Sequence, residues 1–169
     1  MVFGILARAV EYNEDNPERI QHLLKVHSFA RIIGKADKFD EKNQKTTELA
    51  AILLNIGFKE AERKYNSTDS YYQETVGEKV ARQIMEDANV PGWIEDRVSY
   101  IVRHHNTFSE VDGPDFQAAI EANALVNIYE KNLRNKEKLE FFYENLFKTK
   151  KGKQLFKQMY LTESYMDKE

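Results

Sequence analysis

The chain has 169 residues, 41% hydrophobic and 31% charged, with 25 Lys+Arg against 28 Asp+Glu and no cysteine. That length suits one domain with a core of its own. The composition excludes collagen-like and low-complexity chains, membrane spans and disulfide frameworks, together with thiol nucleophiles, zinc–cysteine sites and iron–sulfur clusters. A formal charge of −3 argues against general nucleic-acid binding, which needs a basic excess. The sign is uneven: Lys131 to Glu169 holds 10 Lys+Arg against 6 Asp+Glu, leaving 15 against 22 in the first 130 residues. The basic run Lys148, Lys150, Lys151, Lys153 and Lys157 reads first as a solvated helix start and second as a partner contact. Met1–Ala7 is too short for a signal segment and Arg8 interrupts it, so a cytoplasmic protein without membrane contact is expected.

No stretch alternates apolar and polar residues, and the helical period dominates throughout; an all-α fold is predicted. Residues 1–15 read as an N-terminal helical segment, 16–132 as one helical domain, and 133–169 as a helical extension packed on it. Asn16-Pro17 signals a helix start, with a capping side chain, proline in the first turn and Glu18 near the positive end of the dipole. Ile20, Leu23, Leu24, His27, Ala30 and Ile33 or Gly34 then recur as a predicted buried stripe. Asp37 to Asn43 reads as a connection. Leu49–Leu54 is a continuous apolar run, ended by Ile56-Gly57. After the loop Asn66–Ser70, the four-residue steps Val76, Val80, Ile84 and Ala88 predict an amphipathic helix. Pro91-Gly92 breaks it, and Trp93, Ile94, Val98, Ile101, Val102 and His105 form the next stripe. Asp112-Gly113-Pro114 opens a helix with Phe116, Ile120, Asn123 and Val126 or Asn127 on one face. Two further segments cover roughly 135–147 and 152–160.

Polar residues interrupt these apolar faces. Singly, His27 reads as a hydrogen-bonded core histidine, Asn55 as a cap, and His104-His105 as cations favoured at a helix C-terminus. A buried Asn123 must find partners or cost about 1–3 kcal/mol. As an ordered series they resemble the HD superfamily of metal-dependent phosphohydrolases. The resemblance spans Pro17 to Glu130 and rests on Lys25-Val26-His27, Ala50–Gly57, Arg103-His104-His105 and Glu121–Asn127. Where this chain has Ala50-Ala51-Ile52-Leu53-Leu54-Asn55-Ile56-Gly57, the family typically reads Ala-Ala-x-Leu-His-Asp-Ile-Gly.

The resemblance implies a helical fold holding one or two divalent ions, through a first His, a His-Asp doublet, a distal Asp and, in some branches, further His. Such an ion lowers the pKa of bound water and neutralises charge on a phosphate ester. Carried over by position, His27 matches the first ligand and His104-His105 remain. Leu54 replaces the doublet's His, Asn55 its Asp, and Asn123 the distal Asp. Tyr72-Gln73-Glu74-Thr75-Val76-Gly77 resembles a segment of one branch reading Gln-Glu-x-Glu-Gly, which makes Glu74, with Arg31, a supporting residue of the site.

The leading expectation is therefore a degenerate member without a tightly bound metal, catalytically weak or inactive, that acts by binding a ligand or partner. A second is a live phosphohydrolase using Zn, Ni, Mn, Fe or Mg on His27, His104 and His105, with a nucleotide or other phosphorylated metabolite as substrate. Arg31, Lys59, Arg63 and Arg103 are its nearest phosphate partners in sequence. A third is an interaction module, partnering a protein or a second copy through the basic tail and the aromatics Phe141, Phe142, Tyr143, Phe147 and Phe156.

Overall fold

A computed structural model describes residues 1–167. Among them are nine α-helices and one 3-10 turn, and no strand: α1 (Val2–Tyr12), α2 (Pro17–Ala36), α3 (Glu41–Leu53), α4 (Phe58–Tyr65), α5 (Ser70–Asp87), α6 (Gly92–His104), α7 (Pro114–Glu130), α8 (Lys136–Asn145) and α9 (Lys150–Met159), with the 3-10 turn at Phe108–Glu110. The all-α expectation holds. No helix among the described residues is long and apolar enough to cross a membrane.

The α3 helix is the axis of the fold. It contacts α1, α2, α6 and α7, so nearly its whole circumference is buried, from Gln44 and Thr46 through Leu53. A helix enclosed on all sides needs apolar residues all round, which the run Leu49–Leu54 supplies. Gln44, Thr46, Thr47 and Glu48 of its polar first half are buried as well, and that half starts inside the predicted connection. Asp40 is the N-cap, accepting from Asn43 N at 2.7 Å. The α2 start is as expected: the Asn16 side chain accepts from Arg19 N, with Pro17 in the first turn.

The α2 stripe keeps Leu23, Ala30, Ile33 and Gly34 of its prediction but centres nearer Val26 than Leu24 and His27. Leu23, Val26, Ala30, Ile33 and Gly34 are buried, whereas Leu24 is 38% exposed and His27 lies on the flank. Trp93 is likewise on the surface, 49% exposed with the Lys42 ammonium 5.2 Å from its ring centre, while Ile94, Val98, Ile101 and Val102 go inward. Helix α4 had no separate signal in the apolar pattern.

Inter-helix turns do not rely on glycine. Asp15, Lys38, Asn66, Asn89 and Asn132 take positive φ, and no glycine does; Asn and Asp tolerate that region because their short polar side chains bond locally. Glycine serves close approach instead. A Cβ on Gly57, in the turn before α4, would lie 2.0 Å from Gln73 O and 2.7 Å from Gly77 Cα, whereas one on Gly77 would meet Val102 Cγ1 at 3.4 Å. Backbone cannot yield as a side-chain tip can. Gly57→Ala is therefore expected to cost about 3 kcal/mol, with Gly77→Ala within about 0.5 kcal/mol of the parent. Urea unfolding of both variants tests this; equal stabilities would show that α5 does not sit against the turn.

The C-terminal extension joins the same core. Helix α9 contacts α2 and α7, and Phe147 and Phe156 are fully buried, 4.8 Å apart between ring centres. The carboxylate of Glu121, at 0% exposure in the middle of α7, accepts from Gln117 Nε2, from the backbone N–H groups of Lys148 and Thr149, and from Thr149 Oγ1 at 2.8 Å. Thr149 in turn caps α9 by accepting from Gly152 N. Burial pushes the Glu121 carboxyl above its ordinary value against these hydrogen bonds. Two of the tail lysines, Lys153 and Lys157, lie over the Tyr143 ring.

Candidate functional site

A cleft of about 720 Å³ opens where the start of α2, the turn after α3, the starts of α4 and α5, and the ends of α6 and α7 come together. Its size suits a small molecule. Its apolar wall comes from Leu23, Ala51, Ile52, Ile56 and Phe58, and the rest of its lining is polar.

His22, Asn55 and Asn123 meet inside it. The Glu130 carboxylate accepts from Lys25 at 2.7 Å and contacts His22 Nδ1 at 2.8 Å. A carboxylate can only accept, so the proton sits on Nδ1 and leaves Nε2 as the acceptor. Asn55 Nδ2 donates one hydrogen to His22 Nε2 and the other to Asn123 Oδ1, both at 2.9 Å. His22 Nε2 and Asn123 Oδ1, 3.2 Å apart, thus share one amide donor. Burial works against the Glu130 charge, but the Lys25 and His22 hydrogen bonds outweigh it and hold its pKa below the ordinary value.

On the opposite side, Gln73 Nε2 donates to Leu54 O at 3.2 Å. The His105 ring is buried; its Nδ1 donates to Val102 O at 2.8 Å, and its Nε2 accepts from Asn106 Nδ2 at 3.2 Å. Burial pushes the His105 pKa down, against the Val102 carbonyl and the Glu74 charge, so the ring is neutral. Glu74 lies buried behind it and accepts from Asn106 N at 2.8 Å. The exposed edge of the cleft carries Glu18, Lys131 and an ion pair between Arg19 and Glu62 that joins α2 to α4.

Of the residues picked from sequence, Asn55, Asn123 and His105 line this cleft. His27 does not: it sits at the α2–α3 contact, with Nε2 2.8 Å from Glu48 Oε2. Arg31 and Gln44 donate to the same carboxylate. Burial opposes the Glu48 charge, yet the His27 and Gln44 hydrogen bonds, with Arg31, hold its pKa at about 2. Arg31 is thus part of this structural cluster and not a support for the cleft. Leu54 is fully buried in the core, and His104 packs at a tilt against Tyr100 with ring centres 4.6 Å apart. The residue missed is His22. The signal was present, because His22, Val26, Ala30 and Ile33 follow one another at helical spacing; placing the stripe on Leu24 and His27 turned His22 away from the core.

The donor set does not fit the dication that the resemblance implies. His27, His104 and His105 do not converge, and among the described residues no three His, Asp, Glu or Cys side chains are grouped to hold a metal. Asn55 turns its nitrogen, not an oxygen, toward His22 and Asn123, so the three atoms that meet there are already saturated by one another. No family model, curated protein or solved structure matches this chain.

Proposed function

We propose that this protein is a non-hydrolysing binding protein built on an HD-like helical scaffold, with the metal centre of that scaffold replaced by an amide-lined ligand pocket. The observation that carries this reading is the Asn55–Asn123 contact beside His22. An HD centre requires carboxylates at two of those positions, and neutral amides supply neither the charge that holds a dication nor the anionic donors that tune bound water. Supporting it, a histidine of α2 meets the residue closing the α3 turn and the inward amide of α7. That is the order in which the family strings its ligands along the chain. In this reading His22, not His27, stands for the first ligand, and Glu130 fixes its tautomer.

The test is direct. Untagged protein incubated with manganese, iron, nickel or zinc and then desalted is expected to retain well under one metal per chain by elemental analysis. It is also expected to show no metal-stimulated turnover of p-nitrophenyl phosphate or nucleoside monophosphates. A metal-dependent rate that disappears in His22→Ala would overturn the proposal in favour of an active phosphohydrolase.

A further inference from the structure

Resting on the reading of the cleft as a metal-free pocket, we infer the class of ligand it takes: a neutral, hydroxyl-rich small molecule of sugar size, and not a phosphate ester. The inference comes from which groups in the lining are already committed. Arg19 is held by Glu62, and Glu130 by Lys25 and His22. Among the described lining residues this leaves Lys131 as the one cation without a carboxylate partner, and Glu18 is an uncommitted carboxylate of the same lining. Glu18, Glu62 and Glu130 outnumber Arg19 and Lys131 in the lining, and His105 is neutral. A phosphate dianion is recognised by several convergent cations, above all by bidentate arginine. Here it would meet one ammonium in a lining whose formal charge is negative.

The remaining hydrogen-bonding capacity is of another kind. Asn16 spends its oxygen on the α2 cap, Asn106 its nitrogen on His105, and Asn55 its nitrogen on His22 and Asn123. That leaves the Asn16 nitrogen, the Asn106 and Asn55 oxygens and the Asn123 nitrogen, all on residues that line the cleft, without a protein partner among the described residues. Gln73 likewise spends only its nitrogen. Asn127, one turn beyond Asn123 on α7, keeps its whole amide free among the described residues. An amide offers a donor and an acceptor a short distance apart. A sugar hydroxyl is a donor and an acceptor on one atom, and a ring bearing several of them can engage such groups from several sides without bringing charge into the cleft. The apolar wall of Ile52, Ile56 and Phe58 suits the C–H face of the same ring.

The experiment uses the full chain with D-glucose, D-ribose, maltose, glucose 6-phosphate and inorganic phosphate, read by saturation-transfer NMR and calorimetry. At least one neutral sugar is expected to bind at millimolar concentration or better. Glucose 6-phosphate should bind no more tightly than glucose, and Asn127→Ala should weaken the sugar about five-fold, the loss of one hydrogen bond. Asn127 makes no side-chain hydrogen bond within the described chain, so its replacement should leave Tm unchanged and isolate binding from folding. Absence of binding by every neutral sugar at tens of millimolar overturns the inference. So does tighter binding of phosphate or glucose 6-phosphate that is lost in Lys131→Ala. Anion binding without turnover would sink this inference alone, whereas metal-dependent hydrolysis of glucose 6-phosphate would sink the function proposed above.

Discussion

Asp115→Ala is expected to lower stability by about 3–4 kcal/mol at neutral pH, within the range of about 3–5 kcal/mol for removing one partner of a buried ion pair. Asp115 is 3% exposed and lies in the first turn of α7, where the helix dipole favours its charge. Arg97 of α6 grips it with two hydrogen bonds, Nε to Oδ2 at 2.9 Å and Nη2 to Oδ1 at 2.6 Å, and Thr46 of α3 donates to Oδ2 at 2.8 Å. One carboxylate therefore ties three helices together. The loss should stay at the low end of the range for two reasons. Asp112 lies 2.8 Å from Arg97 Nη1 and still neutralises it, and Thr46 keeps the backbone acceptors Lys42 O and Asn43 O.

Acid should narrow the gap. Burial works against the Asp115 charge, but Arg97 and Thr46 outweigh it and lower the pKa from the ordinary 3.8. A depressed carboxyl pKa contributes stability that is complete above the unfolded value and fades as pH falls below it. Urea midpoints of parent and variant should therefore converge below about pH 4. A difference that stays constant down to pH 3 would show that the carboxylate acts by shape and not by charge.

The second large effect concerns the cleft. Asn55→Asp combined with Asn123→Asp would place two carboxylates in contact where one amide now donates to the other at 2.9 Å, with Glu130 on the far side of the His22 ring. Such carboxylates cannot both ionise freely, and His22 would be drawn to protonate between them. Both responses raise native pKa values above those of the unfolded chain. The sign follows: the native state holds more protons, so stability is lost as pH rises through those values and regained as it falls. The double variant should be about 2–4 kcal/mol less stable than the parent at pH 8 and approach it near pH 5. Below that, the Glu48 cluster begins to fail in both proteins, because its advantage fades between about 4.5 and 2. Millimolar manganese should raise the Tm of the double variant and leave the parent unchanged. Equal stability at pH 8 would mean that the two α3 and α7 amides do not touch in solution.

The sequence conveyed some of this molecule well and some of it poorly, for identifiable reasons. Caps are local, so Asn16-Pro17 could be read directly. Asn55 reads singly as a cap, and it stands out with Asn123 only as part of an ordered series of polar residues on apolar faces. The rotation of α2 was less legible, since adjacent residues differ by about 100° around a helix and both His22 and His27 border the apolar face. The true partner of His27 was concealed further. Glu48 follows four polar residues that look solvated from composition alone, and only the central position of α3 buries three of them, Gln44, Thr46 and Thr47. The tail aromatics offered by the sequence as one partner surface divide in the fold: Phe147 and Phe156 are core, whereas Phe141 remains on the surface, 62% exposed.

Glu121 also bears on the order in which the chain is made. Synthesis runs from the N-terminus, and domains begin to fold as they emerge. Once α7 has emerged, every helix that surrounds α3 is available, yet the carboxylate in the middle of α7 lacks the Thr149 hydroxyl and two backbone donors until the residues that follow α8 emerge too. The nascent bundle therefore holds either an open seam with a wet, charged Glu121 or a closed one with that carboxyl protonated. Emergence of α9 ends the choice, which makes it the latch of the fold although it lies outside the stretch that carries the ligand cleft.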